Sequence, residues 1–175
     1  KMSDLKGKRV STGSGGSATE VMAFRVIEAA SLDKDKDMTR ERLGVAESVN
    51  ALKDRKIDAF FWVGGLPTAA VTDLGATPNV KIKLIDHTET VDKMNDKYGG
   101  LYTTGVIPAK TYPGQDKDNP VAVVMNILVA NAKMPDQVAY DIVKTFIERQ
   151  KSPLEGCYRG ESPRDVDIQV EMLVE

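Results

Sequence analysis

Cysteine and histidine are nearly absent: 175 residues hold one of each, Cys157 and His87. A zinc cluster of Cys and His ligands cannot be assembled from that pair, and a single thiol closes no intramolecular disulfide. A histidine-based triad would have to use His87, which follows a predicted strand and reads as a polar residue at its end. One cysteine leaves the redox compartment undetermined. No run of 18 apolar residues reads as a membrane-spanning helix. Basic residues (24) and acidic residues (26) nearly balance, and the basic ones form no stripe, so no nucleic-acid partner is expected. Repeats and low-complexity segments are missing too. The chain starts at Lys1, without initiator methionine or signal peptide. The expectation is a removed segment or a fragment. Hydrophobic residues, at 41%, suffice for a core of one domain, or of one domain plus part of another.

What the chain does have is a glycine-rich turn, Gly13-Ser14-Gly15-Gly16-Ser17-Ala18-Thr19-Glu20. It follows a strand-like run (Arg9 to Thr12) and opens a helix-like run (Thr19 to Ala30). Three readings apply. Ser17 with Glu20 makes a capping box, which needs no ligand. Gly13, Gly15 and Ala18 match a dinucleotide fingerprint. That fingerprint also requires a second strand with an acid about 20 residues on, where Asp33-Lys34-Asp35-Lys36-Asp37 offers no apolar strand. The third reading is a small carboxylate held by amides at the positive end of a helix, with help from the hydroxyls of Ser14, Ser17 and Thr19.

Strand and helix signals alternate, which argues for an α/β layer structure. The helix after the turn has an apolar face of Met22, Ala23, Val26, Ile27 and Ala30. The charged stretch Asp33 to Arg42 reads as a solvated loop. It is no calcium loop, because Met38 and Gly44 stand where glycine and glutamate are needed. A helix is expected over Val45 to Arg55, and a buried strand over Ile57 to Val63. A second strand–glycine–helix junction follows at Gly64-Gly65, with Pro67 suiting a first helical turn. In open α/β sheets ligands lie beyond the carboxyl ends of strands, so two such junctions would face one crevice. Further on come a strand (Lys81 to Ile85), a helix (Thr88 to Lys97), an extended piece (Leu101 to Ile107) and a Pro-rich connector (Pro108 to Pro120). An apolar strand (Val121 to Ala130) precedes a last helix after Pro135, with Val138, Ile142, Val143, Phe146 and Ile147 as its buried stripe. Val166 to Val170 alternates like an edge strand.

Several segments together resemble one family, the TAXI class of solute receptors of TRAP transporters. They are Asp4-Leu5-Lys6-Gly7-Lys8-Arg9-Val10-Ser11; Gly15-Gly16-Ser17-Ala18-Thr19-Glu20; Ile57-Asp58-Ala59-Phe60-Phe61-Trp62-Val63-Gly64-Gly65-Leu66-Pro67-Thr68-Ala69-Ala70; and Ile107-Pro108-Ala109-Lys110-Thr111-Tyr112-Pro113-Gly114-Gln115. The resemblance covers roughly residues 4 to 150 and implies an α/β, periplasmic-binding-protein-like (type II) lobe with a mixed, mostly parallel sheet flanked by helices. It further implies that residues 1–118 form lobe two of a two-lobed binding protein. Residues 119–150 would then be a return strand and helix that pack on lobe one, which is not in this sequence. Residues 151–175 are a tail that departs from the family's usual ending.

Function follows as expectation: extracytoplasmic, periplasmic capture of a small organic anion, an acidic amino acid or dicarboxylate, and delivery to a TRAP membrane permease. The ligand-binding residues implied are Ser14, Gly15, Gly16, Ser17, Ala18, Thr19, Gly64, Gly65, Pro67 and Thr68. Tyr102 and Thr103 read equally as cleft or core residues, and Gly114 to Pro120 as hinge or plain loop. No cofactor, metal or catalytic residue is expected. Ser14 or Ser17 could serve as nucleophile in a hydrolase, but no G-x-S-x-G elbow is present. A sensory ligand-binding core is the other alternative. Apolar surface on the return strand and helix predicts a homodimer or segment exchange through that region.

Overall fold

The computed structural model describes residues 1–125, 127–150 and 167–174. They fall into two compact units, Lys1–Met125 with Asp167–Glu175, and Asn126–Val166. The first unit is an α/β layer structure of the periplasmic-binding-protein-like kind, a mixed sheet flanked by helices. Its strands are β1 (Arg9–Ser11), β2 (Thr39–Glu41), β3 (Ala59–Gly64), β4 (Lys83–Leu84), β5 (Tyr102–Ile107), β6 (Asn119–Met125) and β7 (Asp167–Val174). Its helices are α1 (Ala18–Ala29), α2 (Val45–Lys53), α3 (Ala69–Ala76) and α4 (Val91–Tyr98). The order across the sheet is β2-β1-β3-β7-β6-β5, with β4 also on β7. Strand β1 runs parallel to both β2 and β3, and the remaining pairs are antiparallel.

Side chains of β3 alternate between two cores, as the pleat requires. Ala59 and Phe61 join Val10, Met22, Ala23, Val26, Ile27 and Met94. Phe60 joins Val49, Leu52, Val71, Leu74 and Val123. Helices therefore cover both faces of β3, which is why its sequence is apolar throughout rather than alternating. Burial of each phenylalanine contributes about 1.5–3 kcal/mol. Among the described residues no helix is long and apolar enough to cross a membrane.

Several expectations need correction. The charged stretch is not all loop, because Thr39–Glu41 pairs with β1 in parallel. Its residues are exposed or half-buried, so an edge position supplied no apolar signal. The C-terminal strand is not at an edge. It lies between β3 and β6 and extends to Val174, where the apolar run Met172-Leu173-Val174 marks an interior strand. Strand β6 starts at Asn119 and stops at Met125, leaving Ile127, Leu128 and Val129 exposed beyond it.

His87 is fully buried rather than a polar strand end, and its ring joins Ile85 to Ala122. The segment read as a hinge is braced: the Gln115 amide donates to the carbonyls of Ile107 and Lys117, and the Ala109 amide donates to Asp118. Tyr102 belongs to the core and takes a hydrogen bond from Arg25, while Thr103 is exposed.

In the second unit, helix α5 (Asp136–Gln150) is present, but its stripe is not buried. Val138, Val143, Phe146 and Ile147 are exposed and Ile142 half-buried, because that unit offers no other described element to pack on. Cys157 lies outside the described residues, as does most of the expected tail.

Candidate functional site

Strands β1, β2 and β3 are parallel neighbours, so their carboxyl ends lie along one edge of the sheet, and each leads directly into a helix. The first junction is the glycine turn. Gly13 has φ +92°, and a Cβ there would stand 2.6 Å from Thr19 Cγ2 and 3.1 Å from the Glu20 amide nitrogen. Only glycine lets the chain turn so close to the helix it is about to form. Ser17 caps α1, its Oγ accepting from the Glu20 amide at 3.1 Å. Ser17→Ala is expected to cost about 1 kcal/mol, a typical N-cap loss, in urea unfolding; an unchanged midpoint would mean the cap contributes nothing.

Glu20 does more than cap. Its carboxylate does not return to the Ser17 amide, which donates to the Ser14 carbonyl at 3.1 Å. Instead Oε2 accepts from the Gly16 amide at 2.7 Å. Arg42 grips the same carboxylate with Nε at 2.8 Å and Nη2 at 3.2 Å, and Arg40 Nη1 adds a contact at 3.3 Å. These donors, the Gly16 amide first and Arg42 next, hold the Glu20 carboxyl below its ordinary range despite burial.

The expected row of open amides from Gly15 to Thr19 is therefore partly filled from within. Gly16 and Ser17 are satisfied by the protein. Among the described residues the amides of Gly15, Ala18 and Thr19 meet no protein acceptor, the last two being orphan donors of the helix start. Thr19 is 5% exposed, yet its hydroxyl has no partner among the described residues and is not closed off from solvent. The Ser14 hydroxyl is exposed and equally unpartnered.

The second junction, Arg42-Leu43-Gly44, leads into α2 with Gly44 at the N-cap. It lies against the first. A Cβ on Gly15 would be 2.5 Å from Arg42 Nη2, and one on Gly44 would be 3.3 Å from the Ser14 hydroxyl. The third junction holds Gly64, Gly65, a cis Leu66-Pro67 bond and Thr68, the N-cap of α3. Pro67 thus precedes the cap rather than entering the first turn. Thr68 is spent internally. Its amide donates to the Tyr112 hydroxyl at 3.1 Å and its Oγ1 to the Gly65 carbonyl at 2.9 Å, while Trp62 Nε1 donates to that Oγ1 at 2.8 Å. Gly64 lies against the Trp62 ring, and a Cβ on Gly65 would meet open space.

The structure therefore gathers Ser14 to Thr19 with Glu20 and Arg42, and places Gly64, Gly65, Pro67 and Thr68 at the end of the adjacent strand β3. Sequence reasoning took Glu20 for a cap alone and missed Arg42. A signal existed: Arg40 and Arg42 are two apart, so in an extended segment both point the same way, here toward Glu20. A depression of about 430 Å³ beside α2 adjoins the second junction at Leu43, and its acids Glu41, Glu47 and Asp54 outnumber its one cation, Lys56.

The structure also alters the argument against a dinucleotide. A second strand does exist, and it ends in Glu41. What opposes that ligand is Glu20, whose buried negative charge occupies the Gly16 amide at the helix start where a pyrophosphate would lie.

The NMT1-like family matches residues 1–158, which is most of the chain. Its members are periplasmic-binding-like and typically extracytoplasmic. With the α/β lobe and its strand-end junctions in place, the chain belongs to the NMT1-like family and is a domain of the solute-binding type.

Proposed function

We propose that this chain is the extracytoplasmic solute-binding subunit of a TAXI-type TRAP transporter and that it captures a small organic anion, an acidic amino acid or dicarboxylate, for a membrane permease. It binds and does not catalyse. The observation that carries the reading is the sheet edge at the ends of β1, β2 and β3, where the open amides of Ala18 and Thr19, the Thr19 hydroxyl and the Arg42 guanidinium converge on one turn. The four sequence segments that resemble TAXI receptors support the transporter assignment. A thermal-shift screen against glutamate, aspartate, succinate and neutral analogues tests it. At a concentration 100 times Kd, a bound acid stabilises the fold by about 2.7 kcal/mol, which raises Tm by roughly 5–11 °C. Equal shifts for acids and their neutral amides would contradict an anion site.

Exposed Ile127, Leu128 and Val129, together with the exposed stripe of α5, support association of two copies through this region. Light scattering at high concentration should give the mass of a dimer, and a monomer would refute the pairing.

A further inference from the structure

The Glu20–Arg42 pair sits at the mouth of the first turn, and its geometry is lopsided. Glu20 uses both oxygens on the Nε–Nη2 side of the guanidinium, at 2.8 and 3.2 Å. Nη1, at the other corner of the fork, donates to no described residue. The Arg42 side chain stays 56% exposed while Glu20 retains 8%. The buried acid is thus an anchor, and the arginine is the part that faces outward.

Glu20 also has other partners, the Gly16 amide and Arg40, the latter shared with Asp35. An arginine present only to balance Glu20 would have no need to lie flat over Gly15, where a single added Cβ would come within 2.5 Å of Nη2. That placement holds the guanidinium against the turn whose following residues carry the unpartnered and nearly buried Thr19 hydroxyl and the orphan amides of Ala18 and Thr19.

We propose that Arg42 is the residue that recognises a carboxylate of the solute, and that Glu20 is its positioning residue. The inference rests on the anion-binding reading above and names its cation. A carboxylate oxygen takes the Nη1 corner of Arg42, and a second bond comes from the Thr19 amide or hydroxyl. Glu20 fixes the plane of the fork, so the charge is offered in one orientation and little side-chain entropy is lost on binding.

The test uses calorimetry with succinate, glutamate and the uncharged diamide succinamide, on the protein and on Arg42→Gln, Arg42→Lys and Glu20→Gln. Arg42→Gln should weaken acid binding about 10- to 100-fold, the range for a charge-assisted pair. Its preference for succinate over succinamide should shrink by the same factor. Arg42→Lys should keep part of that preference, because it keeps the charge and loses only the fork. Glu20→Gln should weaken the acids about 3- to 10-fold and leave the diamide unchanged, a pattern that a purely structural role would not produce. Titrating the unmodified protein with succinate while following the arginine side-chain ¹⁵N resonances keeps the test open if a variant fails to fold; the Arg42 signals should move. Acid affinity within about twofold in a folded Arg42→Gln, or Arg42 signals unmoved at saturation, would overturn the proposal and leave the acid-binding site standing. No binding of either acid by the unmodified protein would overturn both.

Discussion

Gly13→Ala is expected to cost the fold about 2–4 kcal/mol and to lower Tm by roughly 5–15 °C. Two terms add. The backbone at Gly13 has φ +92°, a region where a side chain costs about 1–2 kcal/mol. The new methyl would also lie 2.6 Å from Thr19 Cγ2 and 3.1 Å from the Glu20 amide nitrogen, so the first turn of α1 would have to move. Gly16 is the control. Its φ is +76°, but a Cβ there meets nothing within 4 Å, so Gly16→Ala should show the backbone term alone. Thermal unfolding of the pair separates strain from collision, and equal losses would mean that the close approach of Gly13 to α1 is unimportant. Because the same turn aims the Ala18 and Thr19 amides, Gly13→Ala should also weaken solute binding.

Stability is expected to fall as the pH drops below about 6.5, and His87 is the cause. The Ala122 amide donates to its Nε2 at 3.3 Å, so Nδ1 carries the proton and donates to the Ile85 carbonyl at 2.8 Å. Protonation would put a second N–H against the Ala122 N–H in a site with no solvent. Burial therefore pushes the imidazole below its ordinary value, outweighing the opposing pull of the Ile85 carbonyl and Asp86. In the unfolded chain His87 gains a proton below its usual value of 6.5, which the folded chain refuses. The neutral histidine's contribution is thus complete above that value and is lost as pH falls toward the folded one, so stability slopes upward with pH. Carboxyl groups held low, such as Glu20 and Asp58, act only at lower pH, and His87 is the only histidine. His87→Gln keeps an acceptor for Ala122 and removes the proton linkage. Urea unfolding of both proteins across this range should show the slope in the native protein alone, and a slope retained by the variant would assign it elsewhere.

The parts of this fold that could be read from the sequence are those where local pattern and burial agree. Phe60 and Phe61 announced a strand covered on both faces, and the spacing of Met22, Ala23, Val26 and Ile27 announced the inner face of α1. Ser17 announced its cap. What escaped depends on distant partners. Thr39-Arg40-Glu41 looks like loop until β1 lies beside it. The apolar stripe of α5 predicts a covering surface, but periodicity cannot say whether the same unit supplies one. At the site, the glycines pointed to the turn, yet nothing local revealed that Glu20 would claim the Gly16 amide or that Arg42, 22 residues later, would lie over Gly15. Amides counted along a sequence are an upper bound on those available to a ligand, because folding brings in competitors.

On this reading a small organic acid binds where β1, β2 and β3 end. Amide and indole NMR of the ¹⁵N-labelled protein, titrated with succinate and glutamate, tests it most directly. Saturable shifts should centre on Gly15, Ala18, Thr19 and Arg42, with the indole of Trp62, the only tryptophan, responding at the neighbouring junction. Saturable binding that moves resonances elsewhere, for instance around the acidic depression beside α2, and leaves these still would contradict it.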